Sequence, residues 1–219
     1  MARPWKLLLG AGALAQAAPP SYGVGSQNTI TVNVAKKYQA FDGMGFSEAF
    51  QRGTQIYGAD GLSAANTTRT LDLLFSNEVG AGLTILRNGI GSSVTNPYDL
   101  MKSIAPTSPG SNTSALNYDW EGTTLGRFGL DNGQMQLTKD ALARGVKYVY
   151  ADAWSAPGYM KSNSNDSYGG YLCGVTGVEC ATGDWRQAYA DYLVQYLRFY
   201  EHEGIAIDYV GFLNEPDLK

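Results

Sequence analysis

Residues that bind metals or act as nucleophiles are scarce in this sequence. Its 219 residues include one histidine and two cysteines, which disfavours histidine/cysteine metal sites and histidine-dependent triads. Charged residues make up only 16% of the chain, and 16 Lys and Arg face 20 Asp and Glu, for a net charge of −4. Because no basic stripe is present, a nucleic-acid partner is not expected.

Long hydrophobic runs are also lacking, and the run over residues 7–14 is too short to span a bilayer. Basic residues precede this run, and residues 15–17 fit a small-residue cleavage site, so a secretory signal peptide is predicted over 1–17. Residues 18–28 are rich in Pro, Gly, Ser and Gln and predict a linker. We therefore expect a secreted, extracellular protein with no membrane partner.

Two further features agree with secretion. Three glycosylation sequons begin at Asn66, Asn112 and Asn165. Cys173 and Cys180 lie close together in a glycine-rich loop, and the chain has no other cysteine, so a loop-closing disulfide is expected. A metal site there is the poorer alternative, because no further cysteine or nearby histidine is available as a ligand.

Apolar and aromatic residues, by contrast, are plentiful. Hydrophobic residues make up 44% of the chain, which is enough to form the core of one domain. The sequence has 15 Tyr and 4 Trp beside 27 Gly. Aromatic, charge-poor surfaces suit flat uncharged ligands such as sugars, although they also suit loop-rich secreted proteins in general.

Strand and helix patterns alternate along the chain. Apolar runs bounded by glycine or polar residues predict strands over 29–34, 41–47, 83–87, 146–151 and 205–213. Helical periodicity predicts helices over 63–79, 131–144 and 184–203, and the last of these has Asp184 and Gln187 at capping-box spacing. After the first strand, the strand–helix order predicts an α/β fold with a parallel sheet.

Tyrosines form one face of the helix predicted over 184–203. They recur at three- and four-residue spacing, at Tyr189, Tyr192, Tyr196 and Tyr200. Core packing explains this stripe better than a binding role. His202 falls in the last turn, where it favours the helix dipole and needs no catalytic role.

Polar and aromatic residues cluster where the four later strands end. The clusters lie at 45–52, 86–92, 153–161 and 214–216. Enzymes with (β/α)8 barrels place their sites at the C-terminal ends of the strands. The glycine-rich signatures of nucleotide-binding sheets are absent at the required positions, so a nucleotide-binding open sheet is disfavoured.

Two of these clusters carry residues with both a catalytic and a structural explanation. Pro216 would fix Glu215 at a strand end, where its carboxyl group could act as a general acid, although the segment could also be a plain turn. Trp154 could offer a flat face to a sugar ring or plug the mouth of a barrel.

The other two clusters leave similar alternatives. Arg87 could hydrogen-bond a catalytic carboxylate or a sugar hydroxyl, or form a structural ion pair with a carboxylate inside the barrel. Glu48 and Arg52 could pair on one helical turn, or Arg52 could face the groove and bind an acidic substituent.

Taken together, these motifs resemble glycoside hydrolase family 30. They comprise 41–49, Arg87 with 90–92, 154–161 and 214–216, in the family's order. The segment 47–52 is most similar to the fungal branch that acts on glucuronoxylan. The resemblance covers only the N-terminal part of a family member. It implies the first half of a (β/α)8 barrel over 41–219, with 29–40 as the first strand of a side β-domain.

The resemblance also implies an activity and the residues that perform it. The activity would be retaining hydrolysis of a plant cell-wall β-glycan, most closely glucuronoxylan, without a cofactor or metal and by a monomer when complete. Glu215 would be the general acid/base, and Asn214 would bind the 2-hydroxyl of the sugar. The other residues implied to bind substrate are Trp154, Arg87, Arg52 and Glu48.

One catalytic residue of the family has no counterpart here. A retaining enzyme needs two carboxylates about 5–5.5 Å apart, and the family's nucleophile is a glutamate on the seventh strand. Asp152 and Glu48 lie at strand ends but do not match that position. Because a whole barrel takes about 250 residues, we expect the N-terminal part of a longer enzyme, inactive and poorly soluble alone.

Other functions remain open from the sequence. Within the family, β-1,6-galactan, β-1,6-glucan and glucosylceramide are alternative substrates. A non-catalytic carbohydrate-binding protein would keep Trp154 and the aromatic loops. A small open-sheet protein unrelated to sugars would use residues 214–216 only as a turn.

Overall fold

The computed structural model describes residues 30–50, 52–57, 61–93, 102–120 and 132–217. The chain divides into two compact units, residues 1–40 and 41–219. The predicted signal peptide and linker lie outside the described residues. Within the described residues, no helix is long and apolar enough to cross a membrane.

The strand predicted over 29–34 is not formed in the described part of the first unit. Residues 30–40 contain turns and no β-ladder, and Asn33 accepts hydrogen bonds from two N–H groups that follow it, at 3.0 and 3.1 Å. Ile30, Val32 and Val34 are exposed. An alternating segment forms a stable strand only beside a neighbour that takes its hydrogen bonds and covers its apolar side. The assignment of 29–40 to a side β-domain stays a prediction.

A parallel four-stranded sheet forms the centre of the second unit, in the order β1-β2-β3-β4. The strands are β1 Gly45–Ser47, β2 Ile85–Ile90, β3 Tyr148–Ala153 and β4 Tyr209–Gly211. The helices are α1 Arg52–Tyr57, α2 Ala64–Phe75, α3 Asn132–Leu142 and α4 Arg186–His202, and Gly158–Met160 forms one 3-10 turn. The predicted parallel α/β arrangement is confirmed.

The helix ends differ in part from prediction. Ser63 is the N-cap of α2 as expected and accepts the Asn66 N–H at 3.4 Å, but the helix stops at Phe75 because Ser76 is extended. The capping box predicted for α4 is wrong. Trp185 is the N-cap residue, and the Asp184 carboxylate instead accepts the backbone N–H and the guanidinium of Arg186.

The hydrophobic core lies between one face of the sheet and the helices. It contains Leu86 and Ile90 of β2 and Val149, Ala151 and Ala153 of β3, all fully buried. The four tyrosines of α4 are buried in one cluster with Ile90, Ala151 and Ala153, so their predicted packing role is confirmed. Because alternate residues of a strand point to opposite faces, the remaining residues of β2 and β3 lie on the other side of the sheet.

Candidate active site

The parallel register brings polar side chains together on the sheet face opposite the core. Arg87 of β2 is paired with Tyr150 of β3, and Asp152 is paired with Gly211 of β4. Arg87, Tyr150 and Asp152 therefore share one face near the C-terminal ends of their strands. Asp152 is 3% exposed, whereas the Arg87 side chain keeps 28% of its surface.

Arg87 connects three strand ends. Its Nη2 atom forms a short ion pair with Asp152 Oδ2 and donates to Asn214 Oδ1 at 2.6 Å. Its guanidinium lies 4.4 Å from the centre of the Trp154 ring, within the range of a cation–π contact. The structural ion pair considered for Arg87 from the sequence is therefore formed, and its partner is Asp152.

Trp154 joins the segment that follows β1 to this cluster. The indole is half-buried, and its ring makes an edge-to-face contact with Phe50, with 5.8 Å between the ring centres. Phe50 is 40% exposed. The first, second, third and fourth strand ends are thus linked by direct contacts through Phe50, Trp154, Arg87 and Asn214.

Glu215 follows directly after this cluster. Its side chain is exposed, and its backbone has a positive φ of 45°. The segment before it is anchored to α4, since the Tyr189 hydroxyl donates to the Phe212 carbonyl at 2.7 Å. The geometry therefore places an accessible carboxylate beside an amide that Arg87 holds, and its role as acid/base stays a prediction.

Glu48 and Arg52 occupy different environments. The Glu48 side chain is fully buried, and its N–H donates to the Arg87 carbonyl at 2.9 Å. Its own carbonyl accepts the Arg52 N–H at 3.0 Å, so Glu48 leads from β1 into α1. Arg52 is exposed at the first position of α1. The substrate-binding roles implied for Glu48 and Arg52 stay predictions.

Sequence reasoning assigned no role to Asp152, Tyr150 or Gly211 in this cluster. A Cβ atom at Gly211 would clash with Asp152 Oδ1 and the Tyr150 hydroxyl, so only glycine fits beside them. Burial, and next the adjoining Asp152 carboxylate, raise the pKa of Tyr150. The alternation of Tyr148, Tyr150 and Asp152 with small apolar residues was the signal that these side chains face away from the core.

The long loop after β3 is tied to the same end of the sheet. The predicted disulfide Cys173–Cys180 is confirmed, with 5.6 Å between the Cα atoms. Near the start of the loop, Lys161 Nζ donates to Ser155 Oγ at 2.8 Å, and burial lowers the pKa of Lys161. Ser92, just after β2, donates to the carbonyl of Asp166 in this loop at 2.8 Å.

The three sequons differ in their surroundings. Asn66 in α2 and Asn165 in the loop after β3 have exposed side chains. Asn112 is half-buried, and its Nδ2 atom donates to the Asp184 carbonyl at 2.9 Å. Glycosylation stays a prediction at all three.

Comparison with known proteins identifies the family. Residues 27–219 match the family described as O-Glycosyl hydrolase family 30. The chain is 50% identical to the catalytic domain of GH30 xylanase C from Talaromyces cellulolyticus, with a TM-score of 0.74, over 86% of this chain and 40% of that one. The four parallel strands and their helices match the N-terminal part of the (β/α)8 barrel of that domain, as predicted.

Two curated relatives are named for a different activity. An endo-1,6-beta-D-glucanase from Aspergillus fumigatus is 30% identical over 202 residues, covering 88% of this chain and 39% of its own length. An endo-1,6-beta-D-glucanase from Trichoderma harzianum is 29% identical over 184 residues, covering 79% of this chain and 34% of its own length. The chain thus spans less than half the length of these relatives, and its residues 27–219 belong to glycoside hydrolase family 30.

Proposed function

We propose that the complete gene product is a secreted, retaining endo-β-1,4-xylanase that acts on glucuronoxylan. The observation that carries the proposal is the 50% identity to xylanase C, against 30% and 29% for the two glucanases. The proposal concerns the complete gene product because the chain spans 40% of the xylanase C domain.

Glu215 is the general acid/base in this proposal. It protonates the oxygen of the departing sugar while a second carboxylate attacks the anomeric carbon, and it later removes a proton from the water that releases the sugar. Its exposed side chain, one residue beyond an amide held by Arg87, supports this role. Trp154 presents the aromatic surface against which the sugar packs.

The second carboxylate is not assigned to any residue of this chain. Asp152, a buried carboxylate within the cluster, is already paired with Arg87. We therefore propose that residues 1–219 produced alone do not hydrolyse xylan, because retaining hydrolysis needs both carboxylates.

Hydrolysis of β-1,6-glucan is the second candidate function. It is favoured by the two curated relatives, both of which are named endo-1,6-β-D-glucanases. The two candidates differ in the bond that is cleaved but require the same acid/base, so the residues around Glu215 do not separate them.

A polymer panel tests the proposal. The complete gene product should release reducing ends from glucuronoxylan at least about tenfold faster than from β-1,6-glucan or β-1,6-galactan, because positioning the wrong linkage costs about 1.4 kcal/mol or more of transition-state binding. Faster release from β-1,6-glucan would establish the second candidate instead. Binding to xylan without turnover would indicate a non-catalytic carbohydrate-binding protein, and turnover of glucosylceramide alone would contradict both candidates.

A further inference from the structure

Asp152 is a buried charge that the proposed reaction leaves without a role. It is 3% exposed and forms a short ion pair with Arg87. The space beside it is kept open by Gly211, where any larger residue would strike its carboxylate. Burying a carboxylate is costly unless it is paired. A buried Asp152 in contact with the candidate site therefore needs an explanation.

The arginine beside it determines which way the Asn214 amide points. A guanidinium group has only hydrogen-bond donors, so the atom of Asn214 that faces Arg87 must be the carbonyl oxygen. That contact is 2.6 Å long and charge-assisted. The Nδ2 group of Asn214 is therefore the end of the amide that can face a ligand, and it is a donor.

Asp152 and Asn214 accept hydrogen bonds from the same nitrogen of Arg87, Nη2. The buried carboxylate on β3 and the amide after β4 therefore both hold the guanidinium in its position. Its central carbon lies over the Trp154 ring, 4.4 Å from the ring centre, which limits its movement on that side. Removing the Asp152 carboxylate would therefore take away one of the two acceptors that hold Nη2 in place.

We propose that Asp152 is a positioning residue that holds Arg87 against Asn214 and so fixes the amide with Nδ2 toward the sugar, where it donates to the 2-hydroxyl oxygen. This rests on the proposed glycosidase function. Asp152 does not touch the sugar, and its effect passes through Arg87. A role of this kind affects only substrates that carry the 2-hydroxyl, whereas a purely structural role affects every substrate.

The test uses that difference in the complete gene product. Asp152→Ala should lower kcat/KM for 4-nitrophenyl β-xylobioside about tenfold, because the hydrogen bond from the Asn214 amide to the 2-hydroxyl is lost. It should leave kcat/KM unchanged for the analogue that lacks the 2-hydroxyl at the cleaved bond. Asp152→Asn, which keeps an oxygen acceptor, should recover part of the loss. Asp72→Asn is the matched control, because it weakens an ion pair of α2 with Arg144 at 3.0 Å and should change neither rate.

Equal losses on both substrates, or no loss on either, would overturn the inference. If the wild-type protein hydrolyses neither substrate, the proposed function fails and the inference is judged from crystal structures of the wild type and Asp152→Ala. A wild-type structure without the Arg87–Asn214 contact would overturn it. So would an Asp152→Ala structure in which that contact and the amide orientation are unaltered, whereas displacement of Arg87 would support it.

Discussion

Arg87 shows how one side chain can organise a candidate site that is assembled from distant parts of the chain. It contacts Asp152, 65 residues later, and Asn214, 127 residues later. The strand ends carrying these residues could be recognised in the sequence, because polar clusters after apolar runs stand out. The pairing of Arg87 with Asp152 could not be recognised, because the sequence around Asp152 is the same whether its side chain faces Arg87 or solvent.

Arg52 is the residue whose predicted role is most easily separated from catalysis. In the complete gene product, Arg52→Ala should lower kcat/KM for glucuronoxylan about tenfold, because a charge-assisted hydrogen bond to the glucuronic carboxylate is lost. Activity on xylan without glucuronic acid should be unchanged. The measurement is the ratio of initial rates on the two polymers.

Arg69→Ala serves as the control for that substitution. Arg69 is an exposed arginine on α2, so its removal changes the net charge equally without touching the strand ends. If Arg69→Ala lowered kcat/KM for glucuronoxylan as much as Arg52→Ala, Arg52 would have no specific role in recognising the acidic substituent. The same conclusion would follow if Arg52→Ala lowered kcat/KM equally for both polymers.

At the scale of elements, side chains of α3 and α4 provide the hydrogen-bond partners for the edge of β2 beyond the point where β1 ends. The last residues of β1 pair with β2 as far as Arg87, whose carbonyl accepts the Glu48 N–H at 2.9 Å. Next along this edge, Gln134 of α3 accepts the Gly89 N–H at 2.8 Å and donates to its carbonyl at 3.1 Å. Tyr192 of α4 donates to the Gly91 carbonyl. Helix side chains thus replace a neighbouring strand.

Gln134→Leu should therefore destabilise the protein strongly. It removes the acceptor of the buried Gly89 N–H and leaves the Gly89 carbonyl with the Tyr196 hydroxyl at 3.4 Å. A buried polar group that loses its partner costs about 1–3 kcal/mol. We expect the free energy of unfolding of the complete gene product to fall by about 2–4 kcal/mol, measured by urea denaturation.

The control lies two residues along the same helix. Gln136→Leu changes the same side chain at a half-buried position and should shift the free energy of unfolding by about 0.5 kcal/mol or less. Similar losses for the two variants would mean that the Gly89 contacts do not stabilise the edge of β2.

Most elements of the second unit could be predicted from periodicity, and the errors have local causes. Helix α1 was missed because its six residues are too short to show a helical repeat. The capping box of α4 failed because Asp184 binds Arg186, while Gln187 donates to Asp191 at 3.0 Å. The strand over 29–34 failed because alternation does not reveal whether a neighbouring strand exists.

At the scale of the whole molecule, the fold follows from the order of elements, whereas the proposed retaining activity would need one more carboxylate. Four parallel strands in sequential order match part of a (β/α)8 barrel. Tyr209, Val210, Phe212 and Leu213 at the β4 edge are exposed, although parallel strands are usually covered on both faces. The proposed specificity for xylan rests on similarity to xylanase C and could not be derived from the barrel strands.

The measurement that tests the central claim most directly is azide rescue of Glu215→Ala in the complete gene product. With 2,4-dinitrophenyl β-xylobioside, the leaving group needs no proton, so a covalent glycosyl-enzyme still forms but its hydrolysis lacks a general base. Azide needs no base, so it should raise turnover about tenfold or more and yield the β-glycosyl azide. An α-glycosyl azide would show inversion, and absence of rescue would show that Glu215 is not the acid/base; either result would contradict the account.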